Sequence, residues 1–276
     1  MPEQRLERLE LYFFDDDPLQ ELDSYRHAEA DGTVLEILSR GGGKLAVALA
    51  NVAPPDALPR SWFALQSRMQ RIEAEDPARP AMSGSALFQA GEDSGLSLRL
   101  RPLLGRITLR SIRCDFSGKP YAGARLEKVR AYLINVSDEI SLIDEEPQPH
   151  SWAHQGALSE EALRRMAHPE LICAPLPDLG PQTLYPSLSL YAYPNAPAVE
   201  GLGQPATRLV IEGILQGHIC YYPVNVPVRR DTELILDLEI TRFGTSDPDT
   251  PAGSEMIRVR AEREGFKDNG IRTIYY

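Results

Sequence analysis

The chain has few cysteines, and their spacing excludes two common uses of that residue. Cys114, Cys173 and Cys220 are the three cysteines among 276 residues. An odd number of widely separated cysteines provides neither a disulfide framework nor the paired ligands of a structural zinc site. We therefore predict that the three side chains are small buried hydrophobic groups.

Basic charge is also scarce. Lys and Arg number 29 against 40 Asp and Glu, which gives a net charge of −11 at pH 7. Binding to a phosphate backbone needs a basic field, so this composition disfavours nucleic acid as a partner. It also disfavours, more weakly, attachment to an anionic membrane through surface charge.

Long apolar runs are missing as well. No run approaches the ~20 residues that span a bilayer. The segment Met1–Arg8 is polar and does not resemble the apolar region of a secretory signal, and a strand-like run follows at Leu9. The sequence is compatible with a mature or trimmed form that has lost a leader.

Arrangements typical of catalysis or cofactor binding are absent from the sequence. His150 and His154 have a metal-ligand spacing, but prolines just upstream disfavour a helix there, so we interpret the segment as a solvated linker. We interpret Asp15–Asp17 and Asp247–Asp249 as turn residues and not as calcium ligands. The run Gly41–Lys44 lacks the frame of a phosphate loop and leads into a strand. We predict no catalytic residue, no metal site, no cofactor and no enzymatic activity.

Alternation with a period of two residues dominates the chain and indicates β-strands. The clearest case is Leu234–Thr241, in which apolar and polar side chains alternate strictly. The predicted strands are Leu9–Phe14, Thr33–Leu38, Lys44–Val52, Leu96–Leu100, Ile107–Leu109, Val129–Val136, Leu188–Tyr193, Thr207–Leu215, Ile219–Val226, Leu234–Thr241, Met256–Ala261 and Ile271–Tyr276.

Two short helices interrupt the strands. Ser61 is placed to cap the first, in which apolar residues recur at helical spacing from Trp62 to Ile72. Ser159 precedes the second, Glu160–Met166, whose acidic residues fall in the first turn and basic residues in the last, as the helix dipole favours.

An acidic and proline-rich segment, Asp144–Pro149, nearly bisects the chain and is the best candidate for a linker. Each half then contains a set of short strands and one small helix. We therefore predict an all-β protein of two β-sandwich domains, residues 1–148 and 149–276.

A series of segments, taken in order, resembles the fimbrillins of Bacteroidales-type fimbriae, the type V pili. The resemblance covers nearly the whole chain, and its specificity lies in the ordered set. Asp231 stands where the family pattern has Asn, and Phe266 where it often has Trp. The segments are Ala50–Val52, Pro80–Gly84, Leu126–Val136, Leu190–Asn195, Thr207–Gly213, Tyr221–Val226, Arg229–Asp231 and Thr241–Pro251.

The resemblance implies two tandem transthyretin-like β-sandwich domains and a structural fimbrial (pilus) subunit or a fimbria-associated cell-adhesion protein. Members are exported as lipoproteins, which implies a location at the cell surface and outer membrane, with the lipid anchor on a precursor segment absent here. The implied partners are other fimbrillin subunits, identical or paralogous, and a host or bacterial surface ligand.

The resemblance further implies assembly by strand exchange. In the family a protease removes the first strand after an Arg, and a neighbour's terminal strand fills the vacated groove by β-augmentation. By this hypothesis the polymerisation interface comprises Leu9, Leu11, Phe13, Ile271, Thr273, Ile274, Tyr275 and Tyr276.

Two other interpretations remain open. The first is a surface-tethered glycan- or protein-binding module that does not polymerise, in which aromatic side chains such as Tyr185 or Tyr191 stack on sugars. The second is an enzyme whose site is assembled from scattered acidic residues. Assembly that depends on the chain termini distinguishes the fimbrial subunit from both.

Overall fold

The computed structural model describes residues 6–29, 40–91, 96–144, 147–201, 203–265 and 272–274. The predicted strand Thr33–Leu38 lies outside these residues, and so do residues 145–146 of the predicted linker. The described residues are mostly β-strands with two short α-helices, which confirms the predicted all-β fold class. Within these ranges, no helix combines the length and the apolar character that crossing a bilayer requires.

The chain contains nineteen strands and two short α-helices within the described residues. The first are β1 (Arg8–Asp15), β2 (Leu22–Glu29), β3 (Gly42–Ala50), α1 (Trp62–Gln66), β4 (Met69–Arg71), β5 (Met82–Ala90), β6 (Leu96–Leu98), β7 (Arg101–Pro102), β8 (Gly105–Cys114), β9 (Leu126–Ile134), β10 (Val136–Ser137) and β11 (Glu139–Ser141). The others are β12 (Trp152–Ala153), α2 (Glu160–Arg165), β13 (Cys173–Pro175), β14 (Leu188–Ala192), β15 (Arg208–Leu215), β16 (His218–Asn225), β17 (Thr232–Ile240), β18 (Ile257–Gly265) and β19 (Arg272–Ile274). Short 3₁₀ turns lie at Ile72–Ala74 and Pro169–Leu171.

The chain forms two compact units that do not follow a single cut. Unit 1 comprises Met1–Leu103, Glu139–Pro147 and Phe266–Tyr276, and unit 2 comprises Leu104–Asp138 and Gln148–Gly265. The sequence predicts one division after residue 148, yet β8 and β9 precede that point and belong to unit 2. The reason is strand pairing, because β8 pairs with β17 and β9 pairs with β15.

Unit 1 is built on an antiparallel sheet of five strands in the order β2-β1-β3-β5-β7. One face of β1 carries Leu11 and Phe13, which pack with Phe88 and Leu98 in an apolar cluster. The opposite face carries Phe14, whose ring lies 6.0 Å from the ring of Trp62 in α1. The sheet is therefore covered on both faces at its centre, which explains the nearly continuous apolar run in β1.

Helix α1 is shorter than the sequence predicts. Ser61 caps its N-terminus as expected, with its side chain accepting a hydrogen bond from the N–H of Ala64, but the helix ends at Gln66. Met69–Arg71 instead forms strand β4, which pairs with β11. The helical spacing of Met69 and Ile72 is therefore misleading, because pairing with a distant strand overrides a weak local preference.

Unit 2 contains two four-stranded sheets, in the orders β13-β9-β15-β16 and β14-β8-β17-β18. We call them sheet A and sheet B. The residues Leu234, Leu236, Leu238 and Ile240 of β17 are buried, whereas the residues between them are half-buried. This alternation matches the predicted amphipathic strand and places one face of sheet B in the core.

The two sheets of unit 2 differ in the face that is turned away from the core between them. On sheet A, Tyr132, Ile134 and Val210 form a buried cluster against which Leu158, from the segment before α2, also packs. On sheet B the second face carries ion pairs, described below. Helix α2 begins as predicted, with the Ser159 side chain accepting a hydrogen bond from the N–H of Ala162, 3.2 Å away.

The cysteines are not all buried. Cys114 and Cys220 are buried, as predicted, and burial raises the pKa of Cys114 to about 12. Cys173 is half-buried, so the prediction is wrong for this residue. It lies in β13, an edge strand of sheet A, where one side of the strand has no covering neighbour in the described residues.

Candidate functional site

The predicted interface residues of the N-terminal strand lie in the interior of unit 1. Leu11 and Phe13 are buried, and Leu9 is half-buried and packs against the same cluster. Strand β1 is also hydrogen-bonded on both sides, to β2 and to β3. In this arrangement the three side chains contribute to the core, and they become accessible only when an element that covers them moves away.

The second face of β1 is held by a buried carboxylate. Glu10 is fully buried; its Oε2 accepts hydrogen bonds from Tyr12 Oη, 2.6 Å away, and Arg68 Nη1, 3.0 Å away. Its Oε1 accepts a hydrogen bond from Arg8 Nη2, 3.1 Å away. Burial and the neighbouring Glu10 carboxylate raise the pKa of Tyr12. This network fixes β1 to the segment that follows α1.

The terminal strand β19 pairs with β6 inside unit 1. The register places Thr273 opposite Ser97 and Ile274 opposite Leu96 in an antiparallel pair. Leu98, the last residue of β6, packs in the same cluster as Leu11 and Phe13. Thr273 and Ile274 therefore lie on the strand next to β6, whereas Ile271, Tyr275 and Tyr276 lie outside the described residues.

The segment that follows β6 runs very close to β5. A Cβ atom at Gly84 would lie 2.2 Å from the carbonyl oxygen of Arg99, so this position requires glycine. Gly84 belongs to the segment Pro80–Gly84 that carries part of the family resemblance. Glycine here allows the chain beside β6 to lie directly on the five-stranded sheet.

The sequence predicts the strand Met256–Ala261 but does not identify it as β18, an exposed edge strand of sheet B. Val259 lies opposite Leu238 and therefore points to the core side of the sheet, yet 43% of its surface is exposed. The edge of β18 has no further partner in the described part of the chain. A run in which charged residues interrupt apolar ones, as in Arg258–Glu262, could have signalled this exposed position.

The second face of sheet B carries a ladder of ion pairs that crosses three strands. Arg110 of β8 contacts Asp237 of β17 and lies 2.9 Å from Glu262 of β18. Arg113 and Arg258 both pair with Glu239. The hydrogen bonds from Arg110 lower the pKa of Asp237 to about 2. Acidic groups held as ions by arginine are poor proton donors, so the ladder suits a structural role.

Three of the residues weighed as metal ligands, His154, Asp17 and Asp247, accept local hydrogen bonds. His154 is buried and its Nδ1 accepts a hydrogen bond from the N–H of Ser159, so the interpretation of a solvated linker is wrong for His154, whereas His150 is exposed. Asp17 and Asp247 accept hydrogen bonds from nearby backbone N–H groups. In the described ranges no group of three or more His, Cys, Asp or Glu side chains is arranged to hold a metal ion.

The aromatic residues considered for glycan stacking differ in exposure. Tyr185 is 70% exposed, whereas Tyr191, in β14, is half-buried. Tyr191 lies opposite Arg106 in the register with β8. Of the two residues, Tyr185 alone therefore presents most of its ring to solvent.

Neither a family model nor a curated protein matches the chain. Solved structures do. A fimbrilin from Porphyromonas gingivalis aligns with a TM-score of 0.67 and 12% identity over 96% of this chain and 92% of that one. A candidate cell adhesion protein from Bacteroides eggerthii gives a TM-score of 0.69 and 12% identity, covering 96% and 90%. The tip fimbrial protein Mfa3 of P. gingivalis, with a C-terminal truncation, gives 0.54 and 10%, covering 96% and 95%.

The chain has a fimbrillin-type fold. This confirms the resemblance drawn from the ordered segments, and the likeness extends over both units. The departure at Asp231 is compatible with a fimbrillin-type fold, because Asp231 adopts a φ of 56°. Asn and Asp both tolerate that left-handed conformation, so the backbone before β17 is preserved. Phe266 lies outside the described residues.

Proposed function

We propose that this protein is a structural fimbrial subunit that joins other fimbrial subunits, identical or paralogous, by exchanging β-strands. The observation that carries the proposal is the fimbrillin-type fold, which extends over 96% of the chain in the alignments with a fimbrilin and with a tip fimbrial protein. The protein would act at the cell surface in a fimbrium, and a lipid anchor on a precursor segment would attach it to the outer membrane.

The strand pairing in unit 1 suggests which element is exchanged. Within the described residues, strand β19 forms three residue pairs with β6, Arg272 with Leu98 through Ile274 with Leu96, whereas β1 pairs along its length with two neighbours. A strand held by few backbone hydrogen bonds dissociates more readily than one held on both sides. We therefore assign donation to the residues from Ile271 to Tyr276, and we place Leu9, Leu11 and Phe13 under the groove that the strand would vacate.

The physical basis of such exchange is β-augmentation. When β19 leaves, the edge of β6 exposes unpaired backbone groups above an apolar cluster. An equivalent strand from a neighbour pairs with those backbone groups and covers the cluster. Exchange conserves the number of hydrogen bonds, so the gain in free energy comes from a longer or better-packed strand in the acceptor.

The decisive experiment compares the full chain with a variant that ends at Asn269, by size exclusion and by an unboiled denaturing gel. We expect detergent-resistant oligomers from the full chain and monomer from the truncated variant. Circular dichroism of the truncated variant controls for unfolding. Monomer in both samples would contradict polymerisation through the terminal strand and would leave a tip or anchor position for the subunit.

A peptide experiment tests the groove directly. The peptide Gly270–Tyr276 should bind the truncated variant, because the variant lacks the strand that occupies the edge of β6. The matched control is the same peptide with Thr273→Pro, which lacks one backbone N–H and cannot pair fully. Equal binding of the two peptides, measured by fluorescence anisotropy, would show that strand pairing is not responsible.

The exposed ring of Tyr185 supports a second candidate function, a non-polymerising surface module that binds a glycan or a protein. Aromatic rings exposed to solvent are suited to stacking on sugars. A glycan-array comparison of the chain with its Tyr185→Ala variant tests this function. Saturable binding that the substitution abolishes would favour the module, and no binding in either protein would exclude it for the glycans on the array.

A further inference from the structure

A buried lysine and two aspartates from three adjacent strands meet in unit 1. The Nζ of Lys44 in β3 donates a hydrogen bond to Oδ1 of Asp15 in β1 and lies 3.1 Å from Oδ2 of Asp23 in β2. The side chain of Lys44 is 1% exposed and that of Asp23 is 3% exposed. We call these three residues the Lys44 cluster.

The register explains how the cluster forms at the end of an apolar face. Lys44 lies directly opposite Asp15 on one side and opposite Phe88 on the other. Side chains of opposite residues point to the same face, so the lysine shares a face with Phe13 and Phe88, whose rings are 5.7 Å apart. A register shift in β2, where Leu22 pairs with Phe14, brings Asp23 towards the ammonium group of Lys44.

This environment brings the buried amine of Lys44 into direct contact with a partly buried carboxyl group. Burial lowers the pKa of Lys44, and the hydrogen bonds to Asp15 and Asp23 raise it by more, so the resting form is the ammonium. Transfer of one proton from Lys44 to Asp15 gives a neutral amine beside a neutral carboxylic acid without changing the number of bound protons. Removal from water favours that neutral pair relative to the same pair in solvent.

We propose that Lys44 and Asp15 form an intramolecular amide bond in the folded protein. The lone pair of Nζ attacks Cγ of the protonated Asp15 carboxyl, and a new N–C bond forms. Nζ loses one proton, the C–O bond to the hydroxyl group breaks, and the hydroxyl leaves with that proton as one water molecule. The condensation needs no oxidant, reductant or other reactant.

Asp23 is placed to transfer the proton. Its Oδ2, close to Nζ, can accept the proton that the amine loses and return it to the departing hydroxyl, as a general base and then a general acid. Asp23 is held in place by Arg40, whose backbone N–H donates to Oδ2 at 3.0 Å and whose Nε lies 3.7 Å from Oδ1. The Asp15 side chain is 27% exposed, which gives the released water a route to solvent.

Proximity raises the rate of amide formation far above that of the same two groups free in solution. Reacting groups that a rigid framework holds in contact show effective concentrations of about 10⁵–10⁸ M. The bond would tie β1 covalently to β3, so β1 could not leave the sheet. The proposal does not depend on the function proposed above.

The test is the mass of the denatured chain. We expect the natural chain to be lighter than its sequence requires by the mass of one water molecule. Because an amide removes the charge from Lys44, trypsin should not cleave after it even in the unfolded protein. The peptides Leu9–Arg26 and Gly41–Arg60 should then be recovered joined together, with fragmentation placing the link on Asp15 and Lys44. Cleavage after the exposed Lys128 serves as the internal control.

Three variants sharpen the result. Lys44→Arg keeps a cation but cannot form this amide, so the variant should have the full mass of its sequence. Asp15→Asn should lose ammonia instead of water and give the same final mass as the natural chain. Asp23→Asn should slow cross-linking at least tenfold in freshly folded protein, because the proton acceptor is lost.

Two outcomes would overturn the proposal. One is a natural chain that has the full mass of its sequence and is cleaved normally after Lys44. The other is a link to Asp16 or Asp23, which would contradict the assigned partner even if the mass is lower.

Discussion

Strands β1 and β18 show how differently two strands of one protein can be used. β1 lies inside its sheet, between β2 and β3, and its residues from Glu10 to Phe14 are all buried. β18 lies at the edge of its sheet, and after Ile257 its residues are exposed or half-buried. Apolar and polar residues alternate in β18 from Ile257 to Glu262 but not in β1, because β1 is covered on both faces whereas β18 carries charged residues on an exposed face.

The two strands are stabilised by different interactions. β1 is stabilised by apolar burial and by the buried Glu10 network. β18 is stabilised by backbone pairing with β17 and by ion pairs at the surface, which contribute little individually and are screened by salt. Substitutions should therefore have unequal effects in the two strands.

The largest expected effect is the loss of a core aromatic ring from β1. Phe13→Ala should lower the free energy of unfolding by about 3–5 kcal/mol, because it leaves a cavity in a cluster that cannot fully collapse. Val259→Ala in β18 is the matched control and should change it by about 0.5 kcal/mol or less. Urea denaturation measures both, and equal losses would remove the distinction between the two strands.

The next effect is the neutralisation of the buried carboxylate. Glu10→Gln should cost roughly 3 kcal/mol, at the lower end of the range for breaking a buried pair, because Arg8 and Arg68 remain partly exposed. Glu262→Gln in β18 should have a much smaller effect that high salt abolishes. A loss from Glu10→Gln that salt also abolishes would indicate that the Glu10 network is accessible to solvent.

A third effect concerns the dependence on pH. The pKa of Asp237 is lowered to about 2, so the ionised carboxylate stabilises the fold above about pH 4 and this contribution is lost as the pH falls through about 2. Arg110→Ala should raise the pKa of Asp237 towards its usual value, which carboxyl chemical shifts in an NMR titration measure. An unchanged titration would mean that Arg110 does not hold this carboxylate in solution.

The smallest expected effect is a difference in reactivity between a cysteine in an edge strand and one in an internal strand. Cys173 lies in the edge strand β13 and Cys114 in the internal strand β8. We expect an alkylating reagent to modify Cys173 first in the native protein, because Cys114 is buried and its pKa is raised to about 12. Mass spectrometry of timed samples gives the order, and faster labelling of Cys114 would show that sheet B opens locally.

Much of the fold could be predicted because local patterns match local structure. The alternation in β17 and the cap at Ser159 each depend on neighbours within a few residues. The pairing of β4 with β11 could not be predicted, because it joins Met69–Arg71 to Glu139–Ser141, and it overrides the helical spacing around Met69. The assignment of β8 to unit 2 was missed for the same reason.

The predicted site was less accessible to sequence reasoning. The residues of β1 and the terminal strand were singled out by resemblance, and the structure places Leu11, Phe13 and β19 in one unit without testing exchange. The Lys44 cluster was missed because Lys44 was considered only as the end of a glycine-rich run and the start of an apolar strand, without the aspartates that meet it. The available signal was a lysine at the start of an apolar strand, with aspartates clustered at the nearest turn.

The parallel pairing of β8 with β17 has a consequence for how the chain folds. Ser111 and Asp237, joined by a hydrogen bond in this pair, are 126 positions apart in the sequence. Closing so long a loop is entropically slow, and contacts of high sequence separation lower the folding rate. The β17 side of β8 must stay unpaired until most of unit 2 has been synthesised, so formation of this pair should be the step that sets the pace of folding.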